Sequence, residues 1–355
     1  MLNELPRARL ANLPTPLHEA RHLSQVIGGP KILFKRDDAT GLVLGGQKIR
    51  MMEFLFGDIV AEGHDVIVTA GQEDANHTSQ VVACANKLGI DIVLVFLKRL
   101  HKELAGNALL INLLDPVIIE TEIEPMPHSA EEEDKVNRKL DEIVNELRRH
   151  GRHPYKMYTE SWEPYAPLNI IGYFYCVQEI MQQLTEMGET AQYIYVAHAS
   201  GASQGGLVLG AKYFHAPFKA VGTLTIAGDT IEERSATTTK NVNMASELLG
   251  ANITIESSEL ILHDEYIGPE TWGAFERATK KGIEAIRLVA KTEGAFLDPH
   301  YTGKAMAAML DDIRQGELTS KDTVIFYLTG GAPNIFSYAN ELQMENRNDI
   351  KSLYK

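Results

Sequence analysis

The sequence predicts an α/β protein in two lobes, with twisted, mostly parallel sheets covered by helices. Three observations predict it. Short apolar runs alternate along the chain with longer segments of helical periodicity. The runs are apolar throughout rather than at every second residue, as in strands buried on both faces. At 355 residues, with 44% hydrophobic and 23% charged side chains, the chain also exceeds what one small core organises.

The strand candidates are Ile32 to Phe34, Val66 to Thr69, Ile92 to Phe96, Val117 to Ile119, Tyr193 to Ala197, Gly222 to Ile226 and Val324 to Leu328. Helical periodicity marks Met51 to Glu62, His77 to Leu88, Ile170 to Glu186, Gly205 to Phe214, Gly282 to Thr292 and Gly303 to Gln315. A further long helix opens on Ser129 with Glu132 three residues on, a capping-box pattern, and runs through Leu140, Ile143, Val144 and Leu147 towards Gly151. From Gly151 to Leu168 no period is visible, and this stretch is expected to cross between lobes. The expected small lobe spans residues 51–163. The large lobe takes residues 1–50 and 164–355, and with them Lys48 and the loop after Tyr193 to Ala197.

Composition excludes several classes. With 34 Lys and Arg against 48 Asp and Glu, the net charge of −14 disfavours a nucleic-acid partner. Cys84 and Cys176 lie far apart with no neighbouring Cys or paired His, so neither a disulfide framework nor a metal site is signalled, and a reducing cytoplasm is expected. No apolar stretch approaches the roughly 20 residues that span a bilayer, and the start of the chain lacks the basic and apolar pattern of a secretory leader.

Five segments could carry chemistry. The loop Asp37 to Gln47 holds Gly41, Gly45 and Gly46 and ends at Lys48, at the start of an amphipathic helix. The positive end of a helix dipole, with partial desolvation, lowers a lysine's proton affinity and suits it to imine chemistry. From Tyr195 to Leu207, through Ala197-His198-Ala199-Ser200-Gly201-Ala202-Ser203-Gln204-Gly205, a strand passes through small residues into a helix, so backbone N–H groups are free to approach a phosphate. The stretch from Thr69 to Gln80 is another strand end and helix start, where Asn76 either caps the helix or binds a ligand. Glu293 to Ala305 and Leu328 to Pro333 are polar turns at strand edges, where α/β sheets hold ligands. No Gly-x-Gly-x-x-Gly follows a strand, which disfavours a nicotinamide-binding reading.

Together, in this order and spacing from Leu13-Pro14-Thr15-Pro16-Leu17 to Thr329-Gly330-Gly331, these segments resemble the pyridoxal-phosphate (PLP) enzymes of the tryptophan-synthase-β fold type, also called fold type II. The resemblance is to the branch of D-cysteine desulfhydrase, L-cysteate sulfo-lyase and 1-aminocyclopropane-1-carboxylate (ACC) deaminase. It implies the cofactor pyridoxal 5'-phosphate and a roster of roles. Lys48 matches the lysine that holds the cofactor covalently and then moves the substrate α-proton. Asn76 matches the residue bonded to the cofactor's ring oxygen. Ala75, Asn76, His77, Thr78 and Gln80 match the cradle for the substrate carboxylate. Ala199, Ser200, Gly201, Ala202 and Ser203 match the phosphate loop. Tyr301 matches an active-site tyrosine, and Thr302 or Thr329 would lie near the ring nitrogen, a neutral hydroxyl where a carboxylate would keep that nitrogen protonated.

The departures from the branch are informative. Its usual Gly-Gly-Val-Gln-Ser-Asn-His reads here Gly71-Gln72-Glu73-Asp74-Ala75-Asn76-His77, which removes a serine hydroxyl and adds two carboxylates. Gln47 replaces an Asn, Ala199 and Ala202 replace glycines, and Trp272 lies about where a second tyrosine is expected. Glu73 and Asp74 would either welcome a substrate amine or face solvent. The expected activity is α,β-elimination on a small β-substituted amino acid, giving a 2-oxo acid and ammonia, in a homodimer. The alternatives are β-replacement in a biosynthetic pathway and cofactor binding without turnover, the latter opposed by retention of Lys48 and Tyr301.

Overall fold

The computed structural model describes residues 2–98, 104–123, 130–157, 165–226, 228, 230–267 and 278–343. In chain order the first half comprises β1 (Leu17–Glu19), α1 (Arg21–Ile27), β2 (Lys31–Arg36), α2 (Lys48–Ala61), β3 (Val66–Gly71), α3 (Asn76–Leu88), β4 (Asp91–Phe96), α4 (Gly106–Leu113), β5 (Val117–Glu120) and α5 (Ala130–Arg149). It continues with β6 (Pro154–Lys156), α6 (Ala166–Met187), β7 (Tyr193–His198), α7 (Ala202–Phe214), β8 (Lys219–Leu224), α8 (Ile231–Leu249), β9 (Ile261–His263), α9 (Lys280–Glu293), α10 (Thr302–Gln315) and β10 (Thr323–Leu328).

These strands make two sheets. The larger has the order β1-β2-β10-β7-β8-β9 and the smaller β5-β4-β3-β6. Every pairing is parallel except that of β1 with β2. Alternating residues of the same strand enter different cores, which is why the strands read as unbroken apolar runs. Leu33, Ile194, Val196, Ile325 and Tyr327 join the core that includes α2, α6 and α7. Ile32, Phe34, Tyr195, Val324 and Phe326 join the core under α9 and α10. In the smaller sheet, Val66, Val68, Val93 and Val95 pack on Val136 and Leu140 of α5, while Ile67, Ile92 and Leu94 face the α2 and α3 side.

The register aligns the carboxyl ends that matter for function. Leu328 lies opposite Arg36, and Leu224 opposite His198. The loops after β2, β7 and β10 therefore leave one edge of the larger sheet, while Gly71 and Phe96 end together in the smaller. Ligands in open α/β folds gather at such edges.

A buried ion network ties these edges to α2. Arg50 donates through Nε to Asp37 Oδ2 (2.6 Å) and through a terminal nitrogen to Asp37 Oδ1 (2.8 Å), and also bonds Glu179 of α6 at 2.8 and 3.0 Å. Lys35 completes the charge balance by pairing with Glu179, and Tyr327 donates to Asp37 Oδ2 (2.5 Å). Burial alone would raise the Asp37 carboxyl; the Arg50 guanidinium outweighs it and holds the group below the usual carboxylate range.

Several elements differ from the sequence expectation. Two helices begin three residues early, α2 at Lys48 and α7 at Ala202, and β8 ends at Leu224 rather than Ile226. The aperiodic stretch from Gly151 contains β6, an edge strand of three residues headed by Pro154, where a proline's missing N–H costs nothing. Ser129, half of the expected capping box, and Trp272 lie outside the described residues.

Arg50→Leu leaves the buried Asp37 and the part-buried Glu179 beside one remaining cation, Lys35. It is expected to lower unfolding stability by ~3–5 kcal/mol in urea titrations; a loss under about 1 kcal/mol would show that the network does not hold this edge together.

Candidate active site

A cavity of about 500 Å³ opens where the two sets of strand ends meet. Lys48 is the first residue of α2, and the turn leading to it is built on glycine. Gly45 (φ 81°) and Gly46 (φ 140°) occupy conformations that side chains disfavour, and a Cβ on either would overlap Asp38 or the Gln80 carboxamide. The turn is fixed from both sides, by Gly46 N–H donating to Asp37 O (2.9 Å) and Gln47 N–H to Thr329 O (2.9 Å). Lys48 Nζ lies 5.4 Å from the centre of the Tyr301 ring. Burial lowers the lysine's proton affinity, and the negative charge of Asp298 only partly opposes this.

Tyr301 begins the turn into α10, and Asp298 shapes that turn. The fully buried Asp298 carboxylate accepts the backbone N–H groups of His300 (2.9 Å), Tyr301 (3.0 Å) and Thr302 (2.8 Å). Burial, with Asp298 and Asp74 nearby, raises the Tyr301 phenol well above its ordinary range, so it keeps its proton.

Of the residues expected at a site, Lys48, Ala75, Asn76, His77, Thr78, Gln80, Ala199, Ser200, Gly201, Ala202, Ser203, Tyr301 and Thr329 all line the cavity. Thr302 does not join them. It is fully buried, and its hydroxyl donates to Asp298 Oδ1 (2.6 Å), so of the two threonines expected at the ring nitrogen only Thr329 reaches the cavity wall. Glu73 and Asp74 are buried, which corrects a solvent-facing reading, and neither lines the cavity.

The wall at α3 starts with Ala75, which offers no side-chain cap to the helix that follows. Asn76 Oδ1 is held by Asn107 Nδ2 (2.7 Å), and the same nitrogen donates to Asn334 Oδ1 (2.8 Å), so the Asn76 carboxamide is pinned in place. His77 is pushed down to about 3, chiefly by burial and then by Lys48, and stays neutral.

The loop 199–203 follows β7 into α7. Gly201 takes a left-handed conformation (φ 83°), and a Cβ there would overlap Thr238 Oγ1. Beneath it His198 Nδ1 donates to Gln204 Oε1 (2.6 Å), because the Gln204 nitrogen is committed to Ala220 O and Ile261 O. Burial is the main reason that His198 is pushed down to about 4.

Sequence reasoning missed α8, which adds Arg234, Thr237, Thr238 and Asn241 to the cavity wall. A signal was present: Thr230 and Glu233 form a capping box, and the four polar residues repeat at helical spacing.

The sequence and the fold match known proteins. The family model of the pyridoxal-phosphate-dependent enzymes fits residues 8–330. The chain belongs to that family. A Yersinia pestis D-cysteine desulfhydrase is 33% identical over 343 residues, covering 95% of this chain and 97% of the relative. A Pyrococcus horikoshii protein provisionally named ACC deaminase is 33% identical over 342 residues, covering 96% and 97%. The crystal structure of an ACC deaminase homologue superposes with a TM-score of 0.81 at 31% identity, covering 96% of each chain.

The cavity fits the family's cofactor. An amine of lowered proton affinity faces a small-residue loop at a helix start, as an aldehyde and a phosphate on one ring require. Gln80 Oε1 and Asn169 Oδ1, on residues of the wall between, are buried without a protein partner. Among the described residues no His, Cys, Asp or Glu group could hold a metal, and no helix is long and apolar enough to cross a membrane. Cys84 and Cys176 are free and buried, and burial pushes both thiols up, Cys176 to about 11, so neither is a nucleophile at neutral pH.

His198 gives a pH test. Its pKa is lower folded than unfolded, so between about pH 6.5 and 4 only the unfolded chain takes up this proton and stability falls on acidification. Replacing His198 with Asn is expected to make the stability profile shallower by ~1.4 kcal/mol per pH unit in that window; an unchanged slope in denaturant melts between about pH 4.5 and 6.5 would refute a neutral buried imidazole.

Proposed function

We propose that this protein is a PLP-dependent lyase that removes a β-substituent from a small amino acid by α,β-elimination, releasing a 2-oxo acid and ammonia. The observation that carries this is Lys48, an amine of lowered proton affinity at the cavity wall, set over Tyr301. Relatives named D-cysteine desulfhydrase and ACC deaminase support the same chemistry. The reading places the site between a small lobe at residues 51–163 and the remainder of the chain.

Lys48 would hold the cofactor and Ala199 to Ser203 its phosphate, with Asn76 at the ring oxygen and Thr329 at the ring nitrogen. When bound, PLP supplies an electron-accepting ring that weakens the substrate's Cα–H bond. Lys48 Nζ takes that α-proton, and its lowered proton affinity raises the neutral share of the amine over that of an exposed lysine. The uncapped start of α3 offers its first-turn N–H groups to the substrate carboxylate, and neutral His77 does not compete as a charge. Tyr301 stays a phenol and donates towards the leaving group. Thr329 brings a hydroxyl, not a carboxylate, to the ring nitrogen, which favours elimination over racemisation or transamination.

Two experiments test the reading. Borohydride reduction of the yellow holoenzyme is expected to fix the cofactor on Lys48; peptide mapping to another lysine would sink the assignment. A screen of D- and L-amino acids for 2-oxo acid release, with and without added thiols or amines, separates elimination from β-replacement.

ACC itself is expected to be a poor substrate. It has no α-hydrogen for Lys48 to remove, so opening its ring needs a further nucleophile or acid, and the branch carries a hydroxyl where Ala75 stands. The neighbouring hydroxyls do not substitute: Ser79 is bonded to Asn107 Oδ1 (2.8 Å), and Thr78, on the cavity wall, stands three residues along α3 from Ala75, about one turn or roughly 5 Å away. Release of 2-oxobutyrate from ACC should be at least about a hundredfold slower than 2-oxo acid release from the best β-substituted amino acid, and Ala75→Ser should narrow the gap. Robust wild-type turnover of ACC would show that the missing hydroxyl is not needed.

A further inference from the structure

The face that α8 turns to the cavity has no role in the reading above. Arg234, Thr237, Thr238 and Asn241 stand at i, i+3, i+4 and i+7, so they form one stripe, and all four line the cavity. Thr238 fixes where that stripe lies, because its hydroxyl occupies the space that a Cβ on Gly201 would need. Arg234 is one turn earlier on the same face, about 5 to 6 Å along it, and so emerges beside the loop 199–203. Its charge is felt at His198, the residue just before that loop.

Charge then limits what Arg234 does. A phosphate monoester carries ~1.5 to 2 negative charges at neutral pH. The loop that would receive it, Ala199-Ser200-Gly201-Ala202-Ser203, has no charged side chain, and the start of α7 contributes the equivalent of about half a charge. His198 below the loop and His77 across the cavity are both neutral. Of the described residues lining the cavity, only Lys48 and Arg234 are basic beyond histidine, and Glu133 is acidic. Lys48 is committed to the aldehyde. We propose that Arg234 is the cationic partner of the cofactor phosphate, a binding residue supplied by α8 and not by the phosphate loop. The proposal rests on the reading of residues 199–203 as the phosphate cradle.

Titrating the apoenzyme with PLP and with pyridoxal, which has the aldehyde but no phosphate, tests it for wild type, Arg234→Gln and Arg234→Lys. Absorbance gives the affinities, and the phosphorus NMR shift reports on the phosphate directly. Arg234→Gln is expected to weaken PLP about tenfold or more, as loss of a charge-assisted bond implies, to leave pyridoxal within about twofold, and to move the phosphorus resonance. Arg234→Lys should restore most of the affinity. Equal weakening of both ligands would mark Arg234 as merely structural and overturn the proposal. Unchanged PLP affinity with a raised substrate KM would overturn it in favour of a substrate-carboxylate contact. A wild type that binds PLP no better than pyridoxal would remove the cradle reading itself; a wild-type preference for PLP that survives in Arg234→Gln removes only Arg234.

Discussion

The bidentate grip of Arg50 on Asp37 is the constraint from which the site's geometry follows. Asp37 stands just after β2, Arg50 in the first turn of α2, Glu179 on α6 and Tyr327 on β10, so one buried cluster fixes a helix start against two strand ends and a second helix. Lys48 is two residues from Arg50 and has little freedom once Arg50 is placed. A buried ion pair is weak as a source of net stability, because desolvation offsets its attraction. Its directionality is another matter: three charged groups and a phenol, each bonded in a set direction, accept few arrangements, and an apolar cluster of similar volume would let α2 slide or rotate. The cost of burying charge here is repaid as position.

A second carboxylate does related work on the opposite side. Asp298 gathers three successive N–H groups and a threonine hydroxyl, which sets the turn that carries Tyr301. It also packs against Gly331, where a Cβ would lie 2.7 Å from the carboxylate carbon. Lys304, fully buried, donates to Thr225 O and Ile267 O, and burial pushes it down to about 8 against the pull of Asp298. Asp298 therefore organises backbone first and charge second.

What was legible in the sequence follows from the same physics. Strands buried on both faces announce themselves as apolar runs, and β2, β3, β4, β7 and β10 were readable for that reason. The edge strands β1, β6 and β9 have three residues each, too few for any period to emerge. Helix α8 escaped because its cavity face is polar, so the apolar stripe that marks a helix is narrow. The loops at strand ends were readable through glycine, lysine and small residues in sequence. Thr302 and Thr329 were indistinguishable there, since nothing in a threonine's neighbours shows whether Asp298 or a cavity claims its hydroxyl. Glu73 and Asp74 are a similar case: composition argues for solvent, and only the packed chain shows both carboxylates buried.

The two carboxylate hubs meet through their loops, and that meeting sets the environment of the lysine. The turn shaped by Asp37 and the strand end beside Asp298 touch where a Cβ on Gly330 would lie 2.7 Å from Gly46 Cα, and Gln47 N–H closes the contact on Thr329 O. Glycine is required on both sides because the backbones themselves are the packing surfaces. A side chain at either position would force the turn before Lys48 away from the loop carrying Thr329, and with it the distance from Lys48 to Tyr301. Burial of Lys48 and its lowered proton affinity thus depend on a backbone contact that contains no charge. The charged clusters fix each loop, and the glycines allow the loops to close on the amine.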